Sequence, residues 1–255
     1  MKTYNTLRKV LVLLFWVGLW GAIAFQIGKP LLLPSPIDVF LRLFELIVIK
    51  DFWSITFLSL TRITVGILIG ILLGALLALV TYKSNILNDL LSPIQTIAKV
   101  TPVASFILLV LIWLDRNIVP AVISAIMVLP VVWNNVGMGL RNIDKNLLEM
   151  AHVYKLSFKV RMKRIILPSL MPHFLSAVQT SLGIGWKAGI AAEVLTVPAL
   201  SIGKMIADSK MYMETVDLFT WTLVVIVISL LIEMLVINTI KKISTKYFSK
   251  VGSYD

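Results

Sequence analysis

RNIDKNLLEMAHVYKLSFKVRMKRIILPSLMP, residues 141–172, is a basic amphipathic stretch between two strongly apolar segments. It carries seven of the chain's 24 Lys and Arg residues: Arg141, Lys145, Lys155, Lys159, Arg161, Lys163 and Arg164. Leu147, Leu148, Ala151 and Val153 or Tyr154 can share one side of a short helix, with Asp144 or Asn146 as its cap. A break near Lys155–Ser157 follows. Ser157 stands where it can cap a second short helix that carries Phe158, Val160, Met162 and Ile165 among the cations and ends at Leu167-Pro168. Two short helices joined by a turn, too charged to enter lipid, are expected beneath a membrane, where they offer a docking surface to a cytoplasmic partner.

The surroundings of this stretch are membrane-like. The 255 residues are 58% hydrophobic and only 15% charged, with a mean hydropathy of +0.93. A soluble domain is nearer half apolar and about a quarter charged. Continuous apolar runs exceed the ~20 residues a helix needs to cross hydrocarbon, and they lack the alternation of a membrane β-barrel. The fold class read from this is an all-α integral membrane protein. The absence of cysteine removes disulfides, thiolate metal sites and cysteine nucleophiles, and two histidines, His152 and His173, are too few for a histidine metal centre. No metal or cofactor is expected on this chain. A net charge of +11 could suggest nucleic acid in a soluble protein, but in a membrane protein it reads as the positive-inside bias.

About six transmembrane helices are expected, at Val10–Ile27, Phe57–Val80, Leu90–Leu114, Ile118–Val136, Phe174–Val197 and Leu218–Ile240. The first follows Lys2, Arg8 and Lys9 and resembles a signal peptide, but cleavage would leave five spans and invert the loops, so an uncleaved span is preferred. With the N-terminus inside, fifteen basic residues fall on the cytoplasmic side and six outside, while Arg62, Lys99 and Lys187 lie within spans. Both termini and the 141–172 loop are therefore expected in the cytoplasm. The chain divides into an N-terminus and first span (1–30), an extracytoplasmic segment (31–56), a membrane core with five spans (57–240) and a cytoplasmic tail (241–255). In the second part, Pro34 and Pro36 prevent helix, and from Ile37 onward the pattern predicts an amphipathic helix at the outer surface.

Gly66, Gly70, Gly74 and Ala78 recur every four residues, a smooth stripe where a neighbouring helix can approach closely, and Gly185 and Gly189 read the same way. The Gly183–Gly185 pair follows no strand and is not a nucleotide loop, and no phosphate-cradling loop ending in Gly-Lys-Ser/Thr occurs, so energy must come from another chain or an ion gradient. Pro93, Pro102, Pro120 and Pro130 in the third and fourth spans predict bends, either for packing or around a cavity. Charges at membrane depth point to function. Lys187 with Trp186 can line a path for an anionic or polar solute, or Lys187 can pair with a carboxylate such as Glu233. Glu193 does not share its helix face. Lys99 is placed near the cytoplasmic mouth and Arg62 at the outer end of the second span.

The 141–172 spacing resembles the EAA motif of binding-protein-dependent ABC importer permeases: Glu-Ala-Ala, three residues, Gly, nine residues, Ile-x-Leu-Pro. Here it stands as Glu149-Met150-Ala151, His152–Tyr154, Lys155, nine residues, and Ile165-Ile166-Leu167-Pro168. Met150 replaces the second alanine and Lys155 the glycine. A lysine in a left-handed turn costs roughly 1–2 kcal/mol, so a reshaped turn is expected. LPSP at 33–36, SLTRITVGILIGILLG at 59–74 and GLRNIDKNLLEMAHVYKLS at 139–157 are similar to the nitrate/sulfonate/taurine branch of that family.

The resemblance implies a type I importer permease fold in a bacterial plasma membrane. Its partners would be a second copy of the chain, two cytoplasmic ATPases that use ATP and Mg²⁺, and an extracytoplasmic binding protein. It implies an ATPase-coupling role for Glu149, Ala151, Lys155, Leu167 and Pro168. Glu149 would pair with a basic groove residue, Ala151 would allow close approach, and Leu167-Pro168 would anchor the loop. The alternative for Glu149 is a solvated helix charge paired with Lys145. Lys99, Trp186, Lys187 and Glu193 are candidates for the translocation path, with a structural or gating role implied for Glu193. The solute would be nitrate-, sulfonate- or taurine-like, or else a thiamine-precursor pyrimidine or other small molecule. An ion-coupled transporter should show an internal repeat, and a membrane enzyme a polar catalytic cluster; neither is evident.

Overall fold

The structure, a computed structural model, describes the backbone of residues 2–251 and the side chains of residues 7–239. Lys2, Lys241, Lys242, Lys246 and Lys250 of the charge count therefore have no described side chains. The helices run α1 (Lys2–Ile27), α2 (Pro36–Val48), α3 (Lys50–Lys83), α4 (Asn85–Val100), α5 (Val103–Trp113), α6 (Val119–Arg141), α7 (Lys145–Val153), α8 (Phe158–Arg161), α9 (Leu167–Thr196), α10 (Ile202–Met211) and α11 (Thr215–Val251). Among the described residues five helices are long and apolar enough to cross a membrane, or six if the bent α4–α5 pair is one span.

The centre of the bundle is α3, α6 and α9. A Cβ on Gly66 would run into the backbone of Ala121, one on Gly70 would meet the Ala125 carbonyl oxygen at 2.7 Å, and one on Gly74 that of Leu129 at 2.6 Å. The α3 glycines thus set the backbone-to-backbone approach of α6. Gly185 and Gly189 bring α9 against the same pair, where an added Cβ would meet Ile67 at 2.5 Å and the Ser124 hydroxyl at 2.6 Å. Ile63, Ile67, Val128, Val132 and Trp133 fill the space between.

The expected third span, Leu90–Leu114, is not one helix. It breaks at Thr101-Pro102, and α4 and α5 meet at 108°. Thr101 lies at φ −71°, ψ 129°, the extended conformation that a following proline imposes. The other prolines do not break their helices: Pro93 and Pro130 sit inside α4 and α6, and Pro120 lies in the first turn of α6, where its missing N–H has no intrahelical partner to lose.

Nor does the loop's second helix end at Leu167-Pro168. From α8 the chain passes through a wide π turn, Met162–Ile166, straight into α9, and the Leu167 N–H donates to Met162 O five residues back. Pro168 falls in the first turn of α9, where proline is tolerated. Ser157 occupies the N-cap position of α8, but its side chain makes no capping bond.

Helix α2 starts one residue before the pattern suggested, at Pro36, with the Asp38 N–H donating to Ser35 Oγ at 3.2 Å. Arg42 binds Asp217 of α11 through two nitrogens, Nε at 2.5 Å and Nη2 at 3.0 Å, and so fastens α2 to the last span. The hydrogen bond to Asp217, then that to Glu45, raises the Arg42 pKa still further above its ordinary value. Helices α2 and α10 gather at one end of the bundle, and α7 and α8 at the other.

Candidate functional site

Helix α7 is the first of the two short helices read from the sequence. Asp144 caps it, its Oδ1 accepting from the Asn146 N–H at 2.8 Å. Ala151 is 2% exposed and packs with Leu148 and Leu156 into the main core. The close approach it permits is therefore to the chain's own bundle. The opposite face is open: Glu149 is exposed, and Met150, Val153 and Tyr154 are 42%, 74% and 74% exposed. Glu149 forms no ion pair with Lys145 or with any other described residue.

The turn after α7 is not reshaped. Lys155 adopts φ +50°, the left-handed conformation that glycine takes most readily. The Leu156 N–H donates to Ala151 O at 2.9 Å and the Lys155 N–H to His152 O at 3.0 Å. This 6→1 and 5→2 pair is a Schellman motif, with Leu156 packed beside Ala151 as its hydrophobic contact. Two hydrogen bonds and a half-buried leucine outweigh the left-handed strain of one lysine. Lys155→Gly relieves that strain and loses part of the gain to unfolded-chain entropy. The expected result in detergent is a stabilisation of about 0.5–1 kcal/mol, with Lys155→Ala gaining almost nothing. Equal effects of the two substitutions in thermal unfolding would show that the turn is not strained.

At the other end of the bundle, Glu193 is fully buried and its carboxylate is saturated. Oε1 accepts from Arg62 Nη1 at 2.8 Å, and Oε2 accepts from Ser59 Oγ at 2.8 Å and from the Gly203 N–H at 3.1 Å. Ser59 Oγ accepts in turn from the Ile202 N–H at 2.8 Å. The cluster locks α3, α9 and the start of α10 together, and a Cβ on Gly203 would overlap Glu193. Arg62, expected at the outer end of its span, lies inside this cluster, with 14% of its side chain exposed. That Ser59, Arg62 and Gly203 are the partners of Glu193 is what sequence reasoning missed. The separation of Arg62 from Glu193 by 131 residues left no local signal of the pairing.

The path candidates separate in space. Trp186 is 3% exposed and donates to Val225 O of α11 at 3.3 Å, so it is wedged between two spans and does not accompany Lys187. Lys187 is exposed on the far side of α9, Lys99 is exposed at the end of α4 before the break, and Glu193 is enclosed. Lys187 forms no pair with Glu233 among the described residues.

Residues 66–250 match the family described as "Binding-protein-dependent transport system inner membrane component". The chain belongs to that family. It is similar to the putative aliphatic sulfonates transport permease protein of Bacillus subtilis (strain 168), with 24% identity over 92% of this chain and 86% of the relative. The nitrate import permease protein of Synechococcus elongatus (strain ATCC 33912 / PCC 7942 / FACHB-805) is 26% identical over 78% of this chain and 75% of its own. The taurine transport system permease protein of Escherichia coli (strain K12) is 22% identical over 84% and 80%. The fold matches a crystal structure of an amino acid ABC transporter with TM-score 0.58 and 16% identity, over 74% of this chain and 90% of that one. The protein is thus a permease subunit of a binding-protein-dependent ABC importer and a multi-pass inner-membrane protein.

Proposed function

We propose that two copies of this permease form the translocation path for a small polar or anionic solute, handed over by an extracytoplasmic binding protein and driven by two cytoplasmic ATPase subunits. Both termini and α7–α8 face the cytoplasm, on the strength of the basic-residue bias. ATP and Mg²⁺ bind the ATPases. The names of the relatives, for sulfonates, nitrate and taurine, favour a solute carrying an oxyanion.

The observation that carries the reading is α7 itself. Its Ala151 face is buried in the bundle, while Glu149 stands unpaired among exposed Met150, Val153 and Tyr154. An unpaired carboxylate ringed by apolar side chains suits a basic groove on another protein. The strained turn at Lys155 fixes the angle of α7, and the π turn with Leu167 and Pro168 joins the loop to α9 without a break. Movement of an ATPase under α7 therefore reaches a span. Lys99 lies beside the α4–α5 break, toward the cytoplasmic mouth.

The test is copurification of the tagged permease with its ATPase. Glu149→Lys is expected to reduce the retained ATPase by about 30-fold or more, as for loss of a buried interfacial charge pair. Glu149→Gln should fall between, and uptake of taurine, nitrate or an aliphatic sulfonate should fall in parallel. Full ATPase retention and full uptake with Glu149→Lys would refute the docking role.

A further inference from the structure

Helix α9 presents to the outside of the protomer a face more polar than those of α3 and α11. Its exposed residues follow one helical stripe: Ser176, Gln179, Thr180, Gly183, Lys187 and Ala191, with Ile184 on the flank and Leu195 at the end. On α3 the exposed residues from Thr64 to Leu76 are apolar apart from Thr64, and those of α11 from Ile226 to Leu235 are apolar apart from Glu233. Those faces are mostly apolar; the α9 face is not.

A second observation points the same way. Several hydroxyls on the long helices fold back onto their own backbone: Thr81 donates to Leu77 O, Thr196 to Ala192 O, and Thr222 to Leu218 O, each at 2.7 Å. Among the described residues, Ser176, Gln179 and Thr180 make no hydrogen bond and Lys187 no ion pair. Lys187 lies about 13 Å along the helix from Thr196, too deep for its four-carbon stem to bring the ammonium to the headgroups. Three unsatisfied polar groups and one unpaired cation at this depth are untenable against lipid. They require water.

We propose that this stripe lines a water-filled path and that Lys187 is its charge selector, holding a passing oxyanion by direct contact and disfavouring cations. The inference rests on the importer reading, with a second copy closing the other side of the path. It replaces the grouping of Lys187 with Trp186 and Glu193, both of which are consumed by packing and by the Arg62 cluster. It also adds Ser176, Gln179 and Thr180 as neutral hydrogen-bonding groups along the path toward the α7 end.

The chain contains no cysteine, so single cysteines can be read without background from this subunit. Gly183 is a suitable site because nothing lies within 4 Å of an added Cβ. In membranes holding the assembled importer, Gly183→Cys and Thr180→Cys should react with 2-sulfonatoethyl methanethiosulfonate, while Leu72→Cys on α3 should not. At Gly183→Cys, the rate ratio of this anionic reagent to its trimethylammonium counterpart should fall about tenfold when Lys187→Met is added. It should fall further with Lys187→Glu and recover with Lys187→Arg, as expected for one unit charge a helical turn away. Copurified ATPase, measured on the same samples, reports the importer reading separately. Stripe cysteines as unreactive as Leu72→Cys, with ATPase retained, would mean a dry contact with the second copy and overturn the path. Labelling with a ratio indifferent to Lys187 would overturn the charge selector.

Discussion

Glu193→Ala is expected to be the most damaging single side-chain truncation in the protein, at about 3–5 kcal/mol, because it strands a buried charge. Arg62 would be left with most of its side chain buried and no counter-ion. Ser59 Oγ would lose an acceptor, and the Gly203 N–H would lose the carboxylate that caps α10. The backbone beside the cluster adds to the effect. Val197 and Leu200 sit at φ +48° and +49°, a strained pair on either side of Pro198 and Ala199 that persists only where its surroundings hold it. The Val197 N–H is tied to Glu193 O at 2.9 Å, and Ser201 Oγ to Pro198 O at 3.0 Å. Without the carboxylate the connection is free to relax, and α10 with it. Glu193→Gln keeps an acceptor without the charge and should cost less. The decisive comparison is the double change Arg62→Met with Glu193→Leu. An apolar pair of similar volume leaves no stranded charge, so it should be less damaging than Glu193→Ala alone. Thermal unfolding of these variants in detergent, together with Ser59→Ala and the Arg62→Met and Glu193→Leu single changes, measures this. Strictly additive effects, or a Glu193→Ala cost no larger than that of Ser59→Ala, would show that the cluster does not act as a unit.

The contrast between what was and was not legible in the sequence follows from the range of the interactions. The spans, α2, the Asp144 cap and the α3 glycine stripe all rest on spacings within one helix, and each could be read from the chain alone. Departures arose where a local rule met a distant partner. Lys155 looked unable to hold a left-handed turn because the strain is local, whereas the Ala151–Leu156 packing that offsets it belongs to the tertiary core. Pro168 looked like a stop because sequence does not announce a π turn, and that turn lets the helix continue past it. Thr101-Pro102 was counted among the bends of a continuous span because the apolar run continues on both sides. Arg62 was placed by depth, as a lone cation near a membrane surface; only the fold supplies Glu193. The same blindness affected α9. Lys187 and Trp186 are adjacent in sequence and so looked like partners, yet adjacent helical residues point about 100° apart. One belongs to the core and the other to the open stripe.

Gly66→Val should separate two meanings of glycine in a membrane helix when set against Gly183→Ala. At Gly66 the new side chain would strike the Ala121 carbonyl group and Cα. These are backbone atoms in the first turn of α6, held by their own helix, so neither can swing aside as a side-chain tip would. The only relief is for α3 and α6 to part, which opens gaps around Ile63, Ile67 and Val128, and α9 is packed on the same residues through Gly185 and Gly189. Overpacking usually costs 1–3 kcal/mol; with backbone on both sides, about 3 kcal/mol or more is expected, with loss of folded protein from the membrane. Gly66→Ala should already cost about 2 kcal/mol, since the clash begins at Cβ. At Gly183 no atom lies within 4 Å of the added Cβ. Alanine there gains the ordinary helix preference over glycine, about 0.5–1 kcal/mol. The same methyl group therefore has opposite signs at two glycines of the bundle, and the sign reports what each faces: another backbone at Gly66, open space at Gly183. Thermal unfolding of the purified single variants would give it directly. If Gly183→Ala proved as harmful as Gly66→Ala, the face of α9 at Gly183 would have to be packed against protein, and the open stripe would be lost with it.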